Sequence, residues 1–405
     1  MASGADLRSG QSLRVFSDPA SVAVVGASED PAKWGYWLGS GALHGRDRRD
    51  VHFVNSRATQ VLGQQCVASL SDLPGVPELV AVCVPAAHVP ALVEEGLELG
   101  VRGFLGITAG IADEAGLAAR IRARGARLVG ANSLGIYDSA TRLQLVWGRL
   151  TPGPMAVVSQ SGQLATEIAT IGARHGVGIS RFVSIGNQSD VSASELLADL
   201  AGHDATRVVA VYLESFTDGQ ALFDTLATLR QAGKPTVLLT VGASAASSRL
   251  ARSHTGSLTS SMDIVDAACR AAGVLRVQTP SQVIDVARAV LATSVPAGRR
   301  VAIVGDSGGQ SGVAADLAAA SGLSVPQLSD TLTDALVALL PSGAACSNPV
   351  DLAGAGERNL DNYASVIESV LTPDEVDAVP KFANRERLRD ADLIHGKGHE
   401  NSYRV

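Results

Sequence analysis

Short apolar runs rich in β-branched residues alternate with longer stretches in which apolar positions recur every three or four residues. "SVAVVGAS" (21–28), "ELVAVCVPA" (78–86), "VRGFLGIT" (101–108) and "ARLVGAN" (126–132) read as strands, the first ending in a glycine turn. Between them "AAHVPALVEEGLELG" and "DEAGLAARIRARG" carry helical spacing. Strands that are apolar at every position are buried on both faces, so the alternation predicts βαβ units and a parallel sheet.

Proline and glycine cluster in "WGRLTPGP" (147–154), and the rhythm then restarts. "MAVVSQSGQLATEIATIGARHG" reads as strand, turn and helix, and "SRFVSIG", "RVVAVYLES" and "KPTVLLTVG" as further strands. A second break at "ATSVPAGRR" (292–300) precedes "VAIVGDSGGQSGVAADLAAASG". Three successive α/β units follow, over 1–148, 149–296 and 297–380, with a polar, charged tail over 381–405. The third unit has too few strands for a full doubly wound domain and is expected to be incomplete.

Composition narrows the class. Of the 405 residues, 46% are hydrophobic but only 4% aromatic, which suits Val-rich strands between Ala/Leu helices. The net charge of −7 argues against nucleic acid as the main partner. Cys66, Cys83, Cys269 and Cys346 are widely spaced, so neither a metal site nor a disulfide framework is indicated. The N-terminus has no apolar signal-type core and no run reaches membrane-spanning length, so a cytoplasmic protein away from the membrane is expected.

Three glycine turns carry candidate chemistry. In "VVGASEDPAKWG", Gly26 and Gly35 frame a strand-to-helix turn, but Ala27 and Ser28 break the GxGxxG pattern. Asn55 and Arg57, in "VNSRATQ", stand where a nicotinamide-binding fold carries an acid, and Arg57 suits a phosphate better than a ribose. An ordinary strand–helix connection is the alternative there. "SQSGQLATE" puts Ser159, Ser161 and Gly162 before a helix, either an anion site or a plain N-cap, and it lacks the GxSxG of a nucleophile elbow. "GDSGGQSG" repeats the arrangement with Gly308 and Gly309.

One of only 8 histidines, His254, lies in the small polar run "ARSHTGSLTSS" (251–261). An imidazole near two anion-binding helix ends suits a phosphoryl carrier. Its second nitrogen needs an acceptor, and Glu214, at the end of an expected strand, is the candidate.

Taken in order, these residues resemble the acyl-CoA synthetases (NDP-forming), the superfamily that includes succinyl-CoA synthetase. The likeness runs over roughly 15–380 through "SVAVVGAS", "VNS", "VPA", "ITAGI", "GANSLG", "SQSG", "SIGNQSDV", "YLES", "SHTGSL", "GDSGGQSG" and "SNPVDL". It implies a CoA-binding Rossmann-like domain followed by two flavodoxin-like CoA-ligase domains. It also implies phosphorylation of His254, paired with Glu214, and a phosphate cradled by the "SQSG" and "GDSGGQSG" turns. Gly26, Ala27, Ser28, Asn55, Val84, Pro85, Thr108 and Asn132 match the coenzyme A side. Ala131 stands where the family has proline. The family's ATP-grasp domain has no counterpart in this sequence. ATP/ADP and Mg are thus expected only through a separate ATP-grasp subunit in an oligomer, with a small carboxylic acid or its acyl-CoA and inorganic phosphate as substrates. A catalytically incomplete CoA-binding or regulatory protein is the alternative. A nicotinamide oxidoreductase is disfavoured by the missing glycine pattern and ribose acid.

Overall fold

The structure, a computed structural model, describes residues 13–249, 261–291 and 296–382. The described residues separate into two compact units, 13–291 and 296–382.

The first unit holds two seven-stranded sheets. The first is built from β1 (Ser21–Val25), β2 (Asp50–Val54), β3 (Gln60–Val61), β4 (Gln64–Val67), β5 (Leu79–Val82), β6 (Gly103–Gly106) and β7 (Arg127–Val129), with helices α1 (Trp34–Leu43), α2 (Val89–Leu99) and α3 (Glu114–Ala123). Its order is β3-β4-β2-β1-β5-β6-β7, parallel except for the β3–β4 pair. The second comprises the hairpin β8 (Gly135–Asp138) and β9 (Leu143–Val146), then β10 (Pro152–Ser159), β11 (Ile179–Ser184), β12 (Val208–Leu213), β13 (Thr236–Thr240) and β14 (Leu275–Val277). Its helices are α4 (Gly162–Arg174), α5 (Ala193–Leu200), α6 (Gly219–Gln231), α7 (Met262–Ala272) and α8 (Pro280–Leu291). The order is β14-β13-β12-β10-β11-β8-β9. The hairpin precedes the Pro/Gly-rich run of 147–154 but joins the second sheet, because β8 pairs antiparallel with β11.

Alternate residues of each central strand enter different cores. Val22 and Val24 share one core with Ala156 and Val158 of the other sheet. Ala23 and Val25 face α2 and α3, whereas Met155 and Val157 face α4 and α8. In each sheet the first parallel strand is flanked on both sides by strands that follow it in the chain: β1 by β2 and β5, and β10 by β11 and β12. Such switch points open crevices at the carboxyl ends of the strands.

In the second unit β15 (Val304–Gly305), β16 (Val350–Asp351) and β17 (Lys381–Phe382) form a three-stranded parallel sheet in the order β16-β15-β17. Helices α9 (Gly308–Ala320), α10 (Asp330–Leu339), α11 (Ala355–Arg358) and α12 (Asp361–Leu371) accompany it. Val304, Val350, Tyr363 and Val366 form its main core. Among the described residues this sheet has three strands. No helix among the described residues is long and apolar enough to cross a membrane.

Candidate functional site

A cleft of about 1320 Å³ lies where loops from the carboxyl ends of both seven-stranded sheets meet. Gly26 follows β1, Cys83–Pro85 follow β5, Ile107–Ala109 follow β6, and Asn132–Leu134 follow β7. From the other sheet come Gln160–Gln163 after β10, Gly186–Gln188 after β11, and Glu214, Ser215 and Thr217 after β12. Both switch points therefore open onto one space.

On the first-sheet side the turn is drawn very tight. Gly26 has φ +89°, and a Cβ there would lie 2.5 Å from the Cys83 carbonyl oxygen. A Cβ on Gly35 would lie 1.9 Å from the Gly26 carbonyl oxygen, so glycine is required for α1 to start this close to the turn. Lys33 occupies the N-cap of α1 without a side-chain cap bond and lines the cleft, with its ammonium 3.7 Å from Asp30. It is the only Lys, Arg or His among the residues described around the cleft. The Thr108 hydroxyl donates to the Val84 carbonyl at 2.6 Å, and the Thr108 carbonyl accepts the Asn132 N–H at 3.1 Å. Val84, Pro85, Thr108 and Asn132 are thus brought together at the cleft wall. Burial pushes the Cys83 thiol up to about 12, so this wall residue stays a protonated thiol at neutral pH.

Four residues expected on this side do not line the cleft. Ala27 is fully buried. Asn55 Nδ2 donates to the Ala27 carbonyl at 2.8 Å, while its Oδ1 accepts the N–H groups of Arg57 and Ala58. Asn55 is therefore spent on bracing the turn. The Ser28 hydroxyl accepts the Asp30 N–H at 3.1 Å. Arg57 is exposed and is not among the residues that line the cleft.

On the second-sheet side, α4 begins at the cleft. Ser161 is its N-cap, accepting the Leu164 N–H at 3.3 Å, and Gly162 packs so closely that a Cβ would lie 2.3 Å from that of Leu134. Ser159 is fully buried, and its hydroxyl donates to the Ser161 carbonyl and accepts the Ser161 N–H. It shapes the turn and does not face the cleft. Glu214 does face it, and Oε1 accepts the Tyr212 hydroxyl at 3.2 Å. Burial and then the Glu214 charge push the Tyr212 hydroxyl up, so it remains a donor. Gln160 ties the Glu214 loop down, with Oε1 accepting the N–H groups of Glu214 and Ser215 and Nε2 donating to the Ser215 hydroxyl.

The sheets are stitched together beside the cleft. Asn187 N–H donates to the Ala131 carbonyl, Ser189 N–H to Gly130, and Val191 N–H to Leu128. Asp190, with a fully buried side chain, accepts the Leu128 N–H at 2.8 Å and pairs with Arg127 at 3.1 Å. The "SIGNQSDV" run therefore works as a clasp.

Gly308 and Gly309 open α9 in the second unit, where a Cβ on Gly308 would lie 3.0 Å from Asp351 Oδ2. His254 lies outside the described residues. Among the described residues no group of three His, Cys, Asp or Glu side chains is placed to hold a metal ion. Lys33, Gln160 and Asn187 were not singled out from sequence. Lys33 lies within the first glycine turn and Gln160 within "SQSG", but only tertiary position gives them their tasks.

Residues 20–139 match the family model of a CoA binding domain, and residues 152–290 that of a succinyl-CoA ligase like flavodoxin domain. Two such domains opening onto one cleft define an acid–thiol ligase. The chain belongs to the NDP-forming acyl-CoA synthetases and corresponds to their CoA-ligase component. It is 32% identical over 397 residues to the alpha subunit of acetate–CoA ligase [ADP-forming] II of Pyrococcus furiosus, covering 94% of this chain and 86% of the relative. The alpha subunit of acetate–CoA ligase [ADP-forming] I of the same organism is 29% identical, with 91% and 82% covered. A Ca. Korarchaeum cryptofilum dinucleotide forming acetyl-coenzyme A synthetase, solved with phosphate and ADP, superposes with a TM-score of 0.82 at 27% identity, covering 92% of this chain and 82% of that one.

Proposed function

We propose that this chain interconverts acyl-CoA plus inorganic phosphate with acyl phosphate plus CoA, and that the phosphoryl group then passes to His254. A separate ATP-grasp subunit, holding Mg²⁺ and nucleotide, carries it on to ADP. In reverse the pair makes a thioester from a small carboxylic acid. The observation that carries the reading is that the loops of both sheets converge on one cleft, with Gly26, Gly35 and Lys33 on one side and Ser161, Gly162 and Glu214 on the other.

In this reading 1–148 is the CoA-binding domain apart from the 135–146 hairpin on the second sheet, 149–296 carries the phosphohistidine loop, and 297–380 is the second flavodoxin-like unit. The close approach at Gly26 and Gly35 leaves the first turn of α1 open to a phosphate of CoA, with Lys33 as the counter-charge. A phosphate oxygen attacks the thioester carbon, the C–S bond breaks, and the released thiolate takes a proton. The N-terminus of α4 and Ser161 face the negative charge. One ring nitrogen of His254 then attacks phosphorus, the P–O bond to the acyl group breaks, and the carboxylate leaves. Glu214 accepts the other ring N–H, fixing the tautomer and offsetting the imidazolium charge. The four cysteines are free, which suits a reducing, cytoplasmic setting.

The test is labelling with radioactive phosphate in the presence of acetyl-CoA. The label should be acid-labile and base-stable, and His254→Asn should abolish it while CoA binding persists. Label on Ser253 or Ser257, or label surviving in His254→Asn, would overturn the reading.

A further inference from the structure

Beside the cleft runs a second space of about 600 Å³, and the two share Leu134 and Gln163. It follows the outer face of α4 from Gln163 to Arg174, roughly 16 Å at the helical rise per residue. Its lining includes Trp147, Leu150 and Ala169, with Thr166 and Thr170 along the helix and the two cationic residues Arg149 and Arg174. Both threonine hydroxyls already donate to backbone carbonyls of α4, at 2.8 and 2.7 Å, so the helix presents mainly methyl groups and alanine here. Trp34 lines the cleft and Trp147 the groove, and their rings meet edge to face at 4.7 Å. This aromatic pair therefore links the two linings, while Leu134 and the exposed Gln163 lie at the junction common to both.

We infer that this groove receives the acyl body of the substrate, so that the acid is larger than acetate and carries an apolar aliphatic or aromatic body. The inference rests on the reading of the cleft as the ligase site. The thioester carbon must lie between the CoA side and the first turn of α4. From there the groove leads away along α4 past Leu134. Acetate would leave it unused, whereas a longer body would bury apolar surface against Trp147 and Leu150.

Calorimetric titration of the full chain with CoA, acetyl-CoA, hexanoyl-CoA and phenylacetyl-CoA tests this, alongside Thr170→Trp, which places a large side chain in the groove from an exposed helix position. Hexanoyl- and phenylacetyl-CoA should bind at least tenfold more tightly than acetyl-CoA, and Thr170→Trp should erase that difference. If it does not fold, Thr170→Phe is read in the same way. Equal affinity for all the thioesters overturns the inference while the ligase reading stands. A preference for larger acyl groups that Thr170→Trp leaves intact also overturns it, since those groups then lie elsewhere. Failure to bind CoA itself overturns the ligase reading and the inference with it. All three tryptophans of the chain belong to this cluster, so emission of the unsubstituted protein gives an independent readout. It should change more with hexanoyl-CoA than with acetyl-CoA, and an equal change with both counts against the groove.

Discussion

Gln160 holds Glu214 in place from the neighbouring loop: its side-chain oxygen accepts the Glu214 N–H at 2.5 Å and the Ser215 N–H at 3.1 Å. The catalytic carboxylate of the proposed mechanism is thus aimed by a residue from the α4 turn. Gln160→Leu removes the acceptor for both N–H groups and should cost about 1–3 kcal/mol in urea unfolding. It should also slow labelling of His254. Gln160→Glu keeps an acceptor oxygen and should recover most of the stability. An unchanged labelling rate in Gln160→Leu would show that Glu214 needs no such support.

Lys33 and Arg57 make opposite predictions for CoA affinity. Lys33 borders the cleft, whereas Arg57 is exposed outside it. Because the Lys33 side chain is 66% exposed, Lys33→Ala should weaken CoA by only about 1 kcal/mol, and less at high salt. Arg57→Ala should leave affinity where it was. A loss confined to Arg57→Ala would move the phosphate site to the β2 loop.

Gly35→Ala is a sharper test of the first-sheet turn. The added methyl would collide with the Gly26 carbonyl oxygen at 1.9 Å, and since backbone is involved the turn itself must shift. The expected cost is about 1–3 kcal/mol of stability, with a loss of CoA binding that exceeds the stability change. Full CoA affinity in a folded Gly35→Ala protein would remove this turn from the site.

Asp138 gives a pH prediction at the opposite end of the second sheet. Burial alone would raise its carboxyl, but His203, Arg181 and the Thr141 N–H outweigh it and hold it down to about 2. The unfolded chain, with a carboxyl near 3.8, therefore takes up a proton first as pH falls. The contribution, about 2 kcal/mol, is complete above the unfolded value and is lost as pH falls through it toward about 2. Asp138→Asn should flatten that part of the stability–pH curve measured by denaturant titration. An unaltered acid limb would assign it to other carboxylates.

Much of this was legible because it is local. "SVAVV" and "ELVAVCV" announce buried parallel strands, and "SQSG" before an amphipathic stretch announces a helix start with a serine cap. The site motifs "VPA", "YLES" and "GANSLG" came with their order along the chain. What was not legible depends on pairing between distant segments. Nothing within 135–146 says that β8 will pair with Arg181–Val183 across the Pro/Gly-rich run. Asn55 and Arg57 sit two residues apart, yet one is consumed in bracing the turn and the other points to solvent. Ser159 and Ser161 look equivalent as sequence, but Ser159 closes the buried strand β10 with its hydroxyl spent on the Ser161 backbone, whereas Ser161 lies past the strand end as the α4 N-cap at the cleft.

The clasp between 128–131 and 187–191 has a consequence for how this unit comes apart. Breaking either sheet breaks the backbone bonds of Leu128, Gly130 and Ala131 to Val191, Ser189 and Asn187, and strands the Asp190 carboxylate without the Arg127 guanidinium. Neither sheet then has a route to open alone. The slowest-exchanging amide protons of β1 and of β10 should share one opening free energy, and a ligand that touches only the first glycine turn should slow proton exchange at Val157 as much as at Val24.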